Sequence, residues 1–542
     1  MEMFEKSAMS RRSFLVGGAV AASAAGLALY GCGGSGGSSS SAAASSSAES
    51  ASSSAAAAAG GVITAANAYT STNVNPIGNS SALMLAATWH VFEGLYDLDL
   101  HTYKTYNALA ADEPTKVSDT EYEVALRDGA KFSDGSDVTA DDVVNAFVQN
   151  MADGTYGAFL SFIEEVSAKD DKTVTFKLKY PFESLLKGRL SVVKIFPASL
   201  TEDDLKTKPI GSGPWMYDSI NGDDGGEITF LPNENYNGSM PATAESMKWS
   251  VLLDGTARTT ALQEGSVAVM ENVPDANADQ LTGAGATVEY IQGFSQAFLM
   301  FNCQKEPFND PRVRQAFFYA IDTEKLIANA MAGHAAPVTG FLPKTFENYN
   351  EASTVYTYDP DKAKDLLSQA GVENLEFTMM TNSNWVKDLA AQIQNDLAAV
   401  GVTMTNNETQ LDWASLAPSE TDEILPFDVM LTPGDPTCFG NDPDLLMNWW
   451  YGDNVWTQGR SCWAKAGDGT FEELQGLMQQ AREATGAEQQ ELWNQCFDII
   501  AEQAPLYALF HRELATGYQA SMIEGFEPIG TTGLVFLGAS AK

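Results

Sequence analysis

A chain of 542 residues, 44% of them hydrophobic, can bury large cores and exceeds what one core usually holds. Its 31 Lys and Arg face 71 Asp and Glu, a formal charge of −40 that excludes nucleic acid as a partner, because no basic patch is left to neutralise phosphates. Such acidity keeps a protein soluble beside an anionic surface.

The N-terminus is read first. Ser10-Arg11-Arg12-Ser13-Phe14-Leu15 is a twin-arginine export pattern. The apolar run behind it, Val16 to Leu29, is too short to span a bilayer permanently and reads as the core of a signal peptide. It stops at Leu29-Tyr30-Gly31-Cys32, which resembles a bacterial lipobox, with Tyr30 bulkier than that pattern prefers. Residues 1–31 are therefore expected to be a Tat-type lipoprotein signal peptide, and Cys32 to carry the lipid. Residues 32–61 are almost wholly Gly, Ser and Ala, with Glu49 the one charge, and read as a flexible tether. The expected location is the outer face of the cytoplasmic membrane, on its periplasmic or cell-surface side, with a soluble monomeric body held by a lipid anchor.

From Val62 onward strands and helices alternate. Tyr122, Val124 and Leu126 alternate with polar neighbours, as do Val174, Phe176, Leu178 and Tyr180, and both runs predict half-buried strands. Asp310-Pro311 and Asp359-Pro360 each place a capping acceptor before a proline suited to the first helical position. Val313, Ala316, Phe317 and Ala320 then follow helical spacing, as do Ala363, Leu366, Leu367 and Ala370, the latter stopped by Gly371. A third helix carries Val386, Leu389, Ile393 and Leu397 to Gly401, and the strand Val402–Asn406 follows. A fourth, around Leu492, Cys496 and Ile499, leads into an apolar strand over Leu506–Phe510. The pattern is α/β with mixed sheets.

Catalytic chemistry is hard to find. His90, His101, His334 and His511 are far apart, lack metal-ligand spacing, and read as surface or packing residues. The string Gly33-Gly34-Ser35-Gly36-Gly37 fits GxSxG but lies in the tether, with no strand or helix to build a nucleophile elbow. No catalytic residue, metal site or cofactor is expected, and binding is favoured over catalysis. Apart from Cys32, an even set of cysteines remains in a chain read as exported. Cys438–Cys462 is the favoured pairing because it closes one loop in a Gly/Asp/Pro-rich region. Cys303 and Cys496 sit in apolar segments, where two buried thiols fit equally well.

Four stretches together resemble the extracellular solute-binding proteins of peptide-type ABC importers, family 5, the oligopeptide, dipeptide and nickel group. They are Leu126-Arg127-Asp128-Gly129-Ala130-Lys131-Phe132-Ser133-Asp134-Gly135 with the helix start at Thr139; Pro209-Ile210-Gly211-Ser212-Gly213-Pro214-Trp215; Phe308-Asn309-Asp310-Pro311-Arg312-Val313-Arg314 through Asp322; and Tyr358-Asp359-Pro360 through Gly371. The resemblance implies a two-lobe, type II periplasmic-binding-protein-like fold with an extra subdomain, its lobes joined by a hinge. Lobe I would comprise 62–105, 206–299 and 513–542, the extra subdomain 106–205, and lobe II 300–512. The hinge would run through Phe298–Asn302 and Leu506–Phe510. Arg312 and Arg314 would hold scaffold ion pairs.

The same resemblance implies a ligand held between the lobes and delivered to ABC permease subunits, with no reaction catalysed. In peptide-binding members an acidic residue after a strand meets the ligand's amino group, and Asp435 stands in the matching stretch. Dipeptide-binding relatives place an arginine in the loop that here reads Thr381-Asn382-Ser383-Asn384-Trp385, so Trp385 takes its place and Arg460 could supply the cation instead. Trp449 and Trp450, within an aromatic-rich run, suit a platform for side chains or rings. Tyr69 and Asn73, after the opening strand, complete the set. A peptide-like ligand is expected. An opine, sugar, haem or metal chelate on the same fold, a ligand-sensing receptor, and a secreted hydrolase are the alternatives.

Overall fold

The computed structural model describes residues 60–381, 384–407 and 427–542. The signal peptide, Cys32, nearly all of the tether, and Asn382 and Ser383 fall outside them.

Eleven strands form one mixed sheet. Two long strands, Thr287–Phe301 and Leu506–Tyr518, run antiparallel through its middle, and their register breaks between Gln292 and Gln296. On one side of the break Leu506–Tyr518 pairs with Val269–Met270, which leads to Val62–Asn67 and Ser246–Val251. On the other side Gln296–Phe301 pairs with Val429–Gly434, and that strand pairs in parallel with Glu376–Thr381. The α/β fold thus has two halves that share one pair of continuous strands, a two-lobe architecture with the crossing at the register break. The apolar signal expected at Phe298–Asn302 and Leu506–Phe510 marks only part of these strands. Gly293–Phe301 is buried throughout, whereas Thr287–Gln292 is half-buried on both faces and carries polar residues.

A separate sheet of four strands, in the order Thr115–Ser118, Glu121–Ala125, Thr173–Leu178, Ile163–Asp170, lies within the 106–205 stretch. The helix Ala140–Ala152 covers it, Phe147 meeting Phe176 edge-on at 5.0 Å. Thr139 caps that helix, and Asp142 reaches back to accept the Thr139 backbone N–H at 2.9 Å, a reciprocal capping box. Both Asp-Pro pairs start helices as expected, Pro311–Ala320 and Pro360–Gln369, with the aspartate side chain accepting a backbone N–H in each. The motif around Gly211 is structural: a Cβ there would lie 2.0 Å from the Val91 carbonyl oxygen, so only glycine lets this turn press against the helix Ala82–Val91.

Two expectations need correction. Arg312 pairs with Asp310 at 2.6 Å, but buried Arg314 makes no ion pair among the described residues. It instead donates to the carbonyls of Phe308, Asn309 and Gln503, tying a loop and a helix end that would otherwise leave acceptors unsatisfied. The Cys438–Cys462 bridge is not formed; all four described cysteines are free thiols. The segment between them is no simple loop. A helix, Pro443–Tyr451, and a helical turn, Trp456–Arg460, carry Cys438 to a cavity beside Tyr156 and Cys462 to a buried position next to Cys303.

Candidate functional site

The strand Val429–Gly434 ends at the crossing, and the turn after it presents Asp435. A cavity of about 250 Å³ opens there. Asp435, Trp449, Trp450, Trp456 and Arg460 line one wall, and Ser80, Thr155 and Phe159 line the other. The second wall comes from the first lobe and its four-stranded extension, so the cavity lies between the halves. Trp449 stacks on Phe159 at 5.7 Å, and Phe439 touches both rings. This aromatic partition separates the cavity from a second one of about 300 Å³, lined by Trp89, Tyr106, Tyr156 and Cys438.

Asp435 accepts from the Thr437 hydroxyl at 2.5 Å and the Thr437 backbone N–H at 3.0 Å. Its other oxygen accepts from the Thr531 hydroxyl at 3.1 Å, a contact with the C-terminal segment. Burial outweighs these hydrogen bonds and pushes its carboxyl up to about 6. Arg460 sits with its guanidinium carbon 4.1 Å from the Trp456 ring, and burial brings it down to about 10. Both groups are therefore held where water solvates them poorly, which strengthens their attraction for a charged guest.

Tyr69 is half-buried, and burial, then the charge of Glu271, pushes its hydroxyl up to about 12. Trp385 opens the helix Asn384–Ala398 and carries Arg512 over its ring. Trp450 is almost wholly buried, stacked on Phe294 at 5.7 Å, so it contributes more to the wall than to an open platform. Asn73 is not brought to the cavity: it is exposed, and its side chain accepts the Asn75 backbone N–H within its own loop. Among the described residues no three His, Cys, Asp or Glu side chains are grouped so as to hold a metal ion.

Residues 104–470 match the family model of bacterial extracellular solute-binding proteins, family 5. The chain belongs to that family. Family 5 proteins are extracytoplasmic solute binders. This member is 30% identical over 348 residues to the glutathione-binding protein GsiB of Pectobacterium atrosepticum, a match covering 61% of this chain and just 66% of that one. It is 27% identical over 484 residues to heme-binding protein A of Haemophilus influenzae, covering 80% and 85% of the two chains. Its fold superposes on the periplasmic binding protein DppA of Helicobacter pylori, solved with the peptide STSA, with a TM-score of 0.76 at 23% identity, covering 89% of this chain and 98% of that one.

Within the family 5 frame, several residues around the cleft escaped the sequence reading. Phe159 gave a signal in the aromatic run from Tyr156 to Phe162. Thr531 and Glu271 gave none. Glu271 is buried and accepts the backbone N–H groups of Ala68 and Gly533 at 2.9 and 2.8 Å, binding the C-terminal segment to the first lobe. His90 acts alongside it. Its Nε2 accepts the Phe536 N–H at 2.8 Å, which leaves the proton on Nδ1 to donate to Ala86.

Proposed function

We propose that this family 5 protein is a lipid-anchored receptor on the outer face of the cytoplasmic membrane. It closes two lobes on a peptide-like small molecule and hands it to ABC permease subunits, without altering it chemically. The lobes are taken as 62–105 with 206–299 and 513–542, and 300–512, with 106–205 as the extension, in a monomer. The carrying observation is a cavity between the halves with a desolvated carboxylate, Asp435, a desolvated guanidinium, Arg460, and tryptophan walls. A carboxylate suits a ligand ammonium, a guanidinium a carboxylate or carbonyl, and indole faces suit side chains. A short peptide offers all three. The relatives named for glutathione binding and solved with a peptide lean the same way.

Native mass spectrometry of freshly purified protein tests this reading. Peptide masses bound at one per chain, lost in Asp435→Ala, are expected. A protein that holds no peptide from a mixed di- to pentapeptide pool, or that consumes its guest, overturns it. Metabolic labelling with palmitate checks the anchor, which Cys32→Ser should abolish.

A further inference from the structure

Cys303 stands two residues beyond the end of the through-strand Thr287–Phe301. Cys462 stands two residues beyond the turn Trp456–Arg460, whose first and last side chains line the cavity beside Asp435. The Cys303 backbone N–H donates to the Ser461 carbonyl at 2.8 Å, which brings Cys303 and Cys462 level with each other. Backbone bonding of this kind sets such a pair of Cα atoms about 5 Å apart. A disulfide needs roughly 4.4–6.8 Å between them. Both side chains are buried, and Cys462 is among the groups whose charge acts on the Cys303 thiol. Each thiol turns to a carbonyl two residues back, Cys303 to Phe301 at 3.8 Å and Cys462 to Arg460 at 3.7 Å. Thiols are weak donors, so little is lost when χ1 rotates to bring the sulfurs face to face. The other two described cysteines lie elsewhere, Cys438 beside Asp435 and Tyr156, Cys496 beside Asp444 and Arg482.

We propose that Cys303 and Cys462 close into a disulfide when the protein meets a disulfide oxidant, and that the bridge fastens the Trp456–Arg460 turn to the end of the through-strand. Burial pushes the Cys303 thiol up to about 11 and raises that of Cys462, so the folded pair reacts slowly and exchange proceeds when the turn opens locally. The Cys462 thiolate attacks one sulfur of the oxidant's disulfide and releases the other as a thiolate. The Cys303 thiolate then attacks Cys462 in the mixed disulfide and displaces the oxidant's second sulfur. The pair loses two electrons and two protons, and the oxidant becomes a dithiol. Cys462 is left-handed, with φ 55, a backbone state few cysteines adopt, and a cross-link there holds a conformation the chain would otherwise tend to leave. The bridged form therefore keeps Trp456 and Arg460 in place at the cavity, and the dithiol form lets their turn loosen. Outside the cytoplasm, where the proposed function puts the body of the protein, thiol oxidation supplies the oxidant. The pairing itself rests on the geometry alone.

The test incubates the full-length protein with glutathione disulfide, blocks remaining thiols in denaturant, and maps the tryptic peptides by mass. Cleavage after Arg460 and Lys465 isolates Cys462 on the short peptide Ser461–Lys465, and cleavage after Lys305 ends the peptide that carries Cys303. These two are expected joined to each other, and separated by a phosphine reductant. Amide exchange across 456–462 should then run about tenfold faster in the reduced protein than in the bridged one. Cys303→Ser should show no link and the faster exchange with or without oxidant. If Ser461–Lys465 is found alkylated after oxidation, or joined to the peptide of Cys438 or Cys496, the pairing is overturned. If the link forms and exchange does not change on reduction, the hold on the turn is overturned. Both readings come from wild type, so a serine variant that fails to fold leaves the test decisive. Palmitate labelling at Cys32 reports on the location separately, so a failure of the pairing is told apart from a failure of the proposed anchor.

Discussion

If Asp435 holds a ligand ammonium as proposed, binding depends on pH. Burial lifts its carboxyl from the ordinary 3.8 to about 6, so between these values the native state keeps a proton that the unfolded chain releases. Its contribution to stability therefore falls as pH rises through that window, while its affinity for an ammonium rises, because only the ionised form attracts one. Peptide affinity should climb roughly tenfold from pH 5 to pH 7, and Asp435→Asn should flatten that profile while stabilising the empty protein at pH 7 by about 1 kcal/mol. Calorimetry across pH and denaturant titration read the two effects. The place of Asp435 in a turn at the cavity was legible because it follows a strand and sits among glycine and proline. The contact of Arg512 with the Trp385 ring was not legible, because Arg512 is one charge in an apolar strand and Trp385 lies far away in the sequence. Asn73 shows the converse: proximity in sequence to the opening strand did not bring its side chain to the cavity around Asp435.

Elements with local causes were read correctly, and those defined by tertiary contact were cut short. The Asp-Pro pairs and Thr139 start helices through hydrogen bonds within a few residues, which a sequence displays directly. The long strand Thr287–Phe301 changes from half-buried to buried at Gly293, and only its apolar end was visible. Gly293 is also where the C-terminal segment crosses closest. A Cβ on it would stand 1.6 Å from the Gly530 carbonyl oxygen, a backbone atom that cannot swing aside. Gly293→Ala should therefore displace the segment that brings Thr531 to Asp435, costing about 1–3 kcal/mol as overpacking does. Faster amide exchange at 529–533 and weaker peptide binding, with the four-stranded sheet unaffected, are the expected signs. Unchanged exchange there would mean that the crossing relaxes without disturbing the cleft.

At the scale of the whole molecule, the two halves are joined by more than the through-running strands. Arg189, fully buried on the helix Glu183–Leu190, reaches across to the helix Pro443–Tyr451, where Asp442 accepts at 2.6 and 2.9 Å and Asp444 at 2.7 Å. Arg482 holds the other Asp444 oxygen at 2.7 Å, so one aspartate joins cations from both sides. With the Phe159–Trp449 stack and the Asp435–Thr531 hydrogen bond, this bridge joins the two halves. Binding proteins of this architecture close by hinge motion, and a contact present only in the closed form sets how much closure the ligand must itself supply. Removing one partner of a buried pair strands the other charge, at about 3–5 kcal/mol. In Arg189→Met that loss falls on the closed form alone if opening lets Asp442 and Asp444 regain water. The empty variant should then show a larger radius of gyration by solution scattering than the empty wild type, and saturating peptide should bring both to the same compact value. Its apparent peptide affinity should fall by the fraction of molecules driven open. If scattering is identical and only the denaturation midpoint drops, Arg189 is part of a fixed scaffold, and the moving interface lies elsewhere in the cleft.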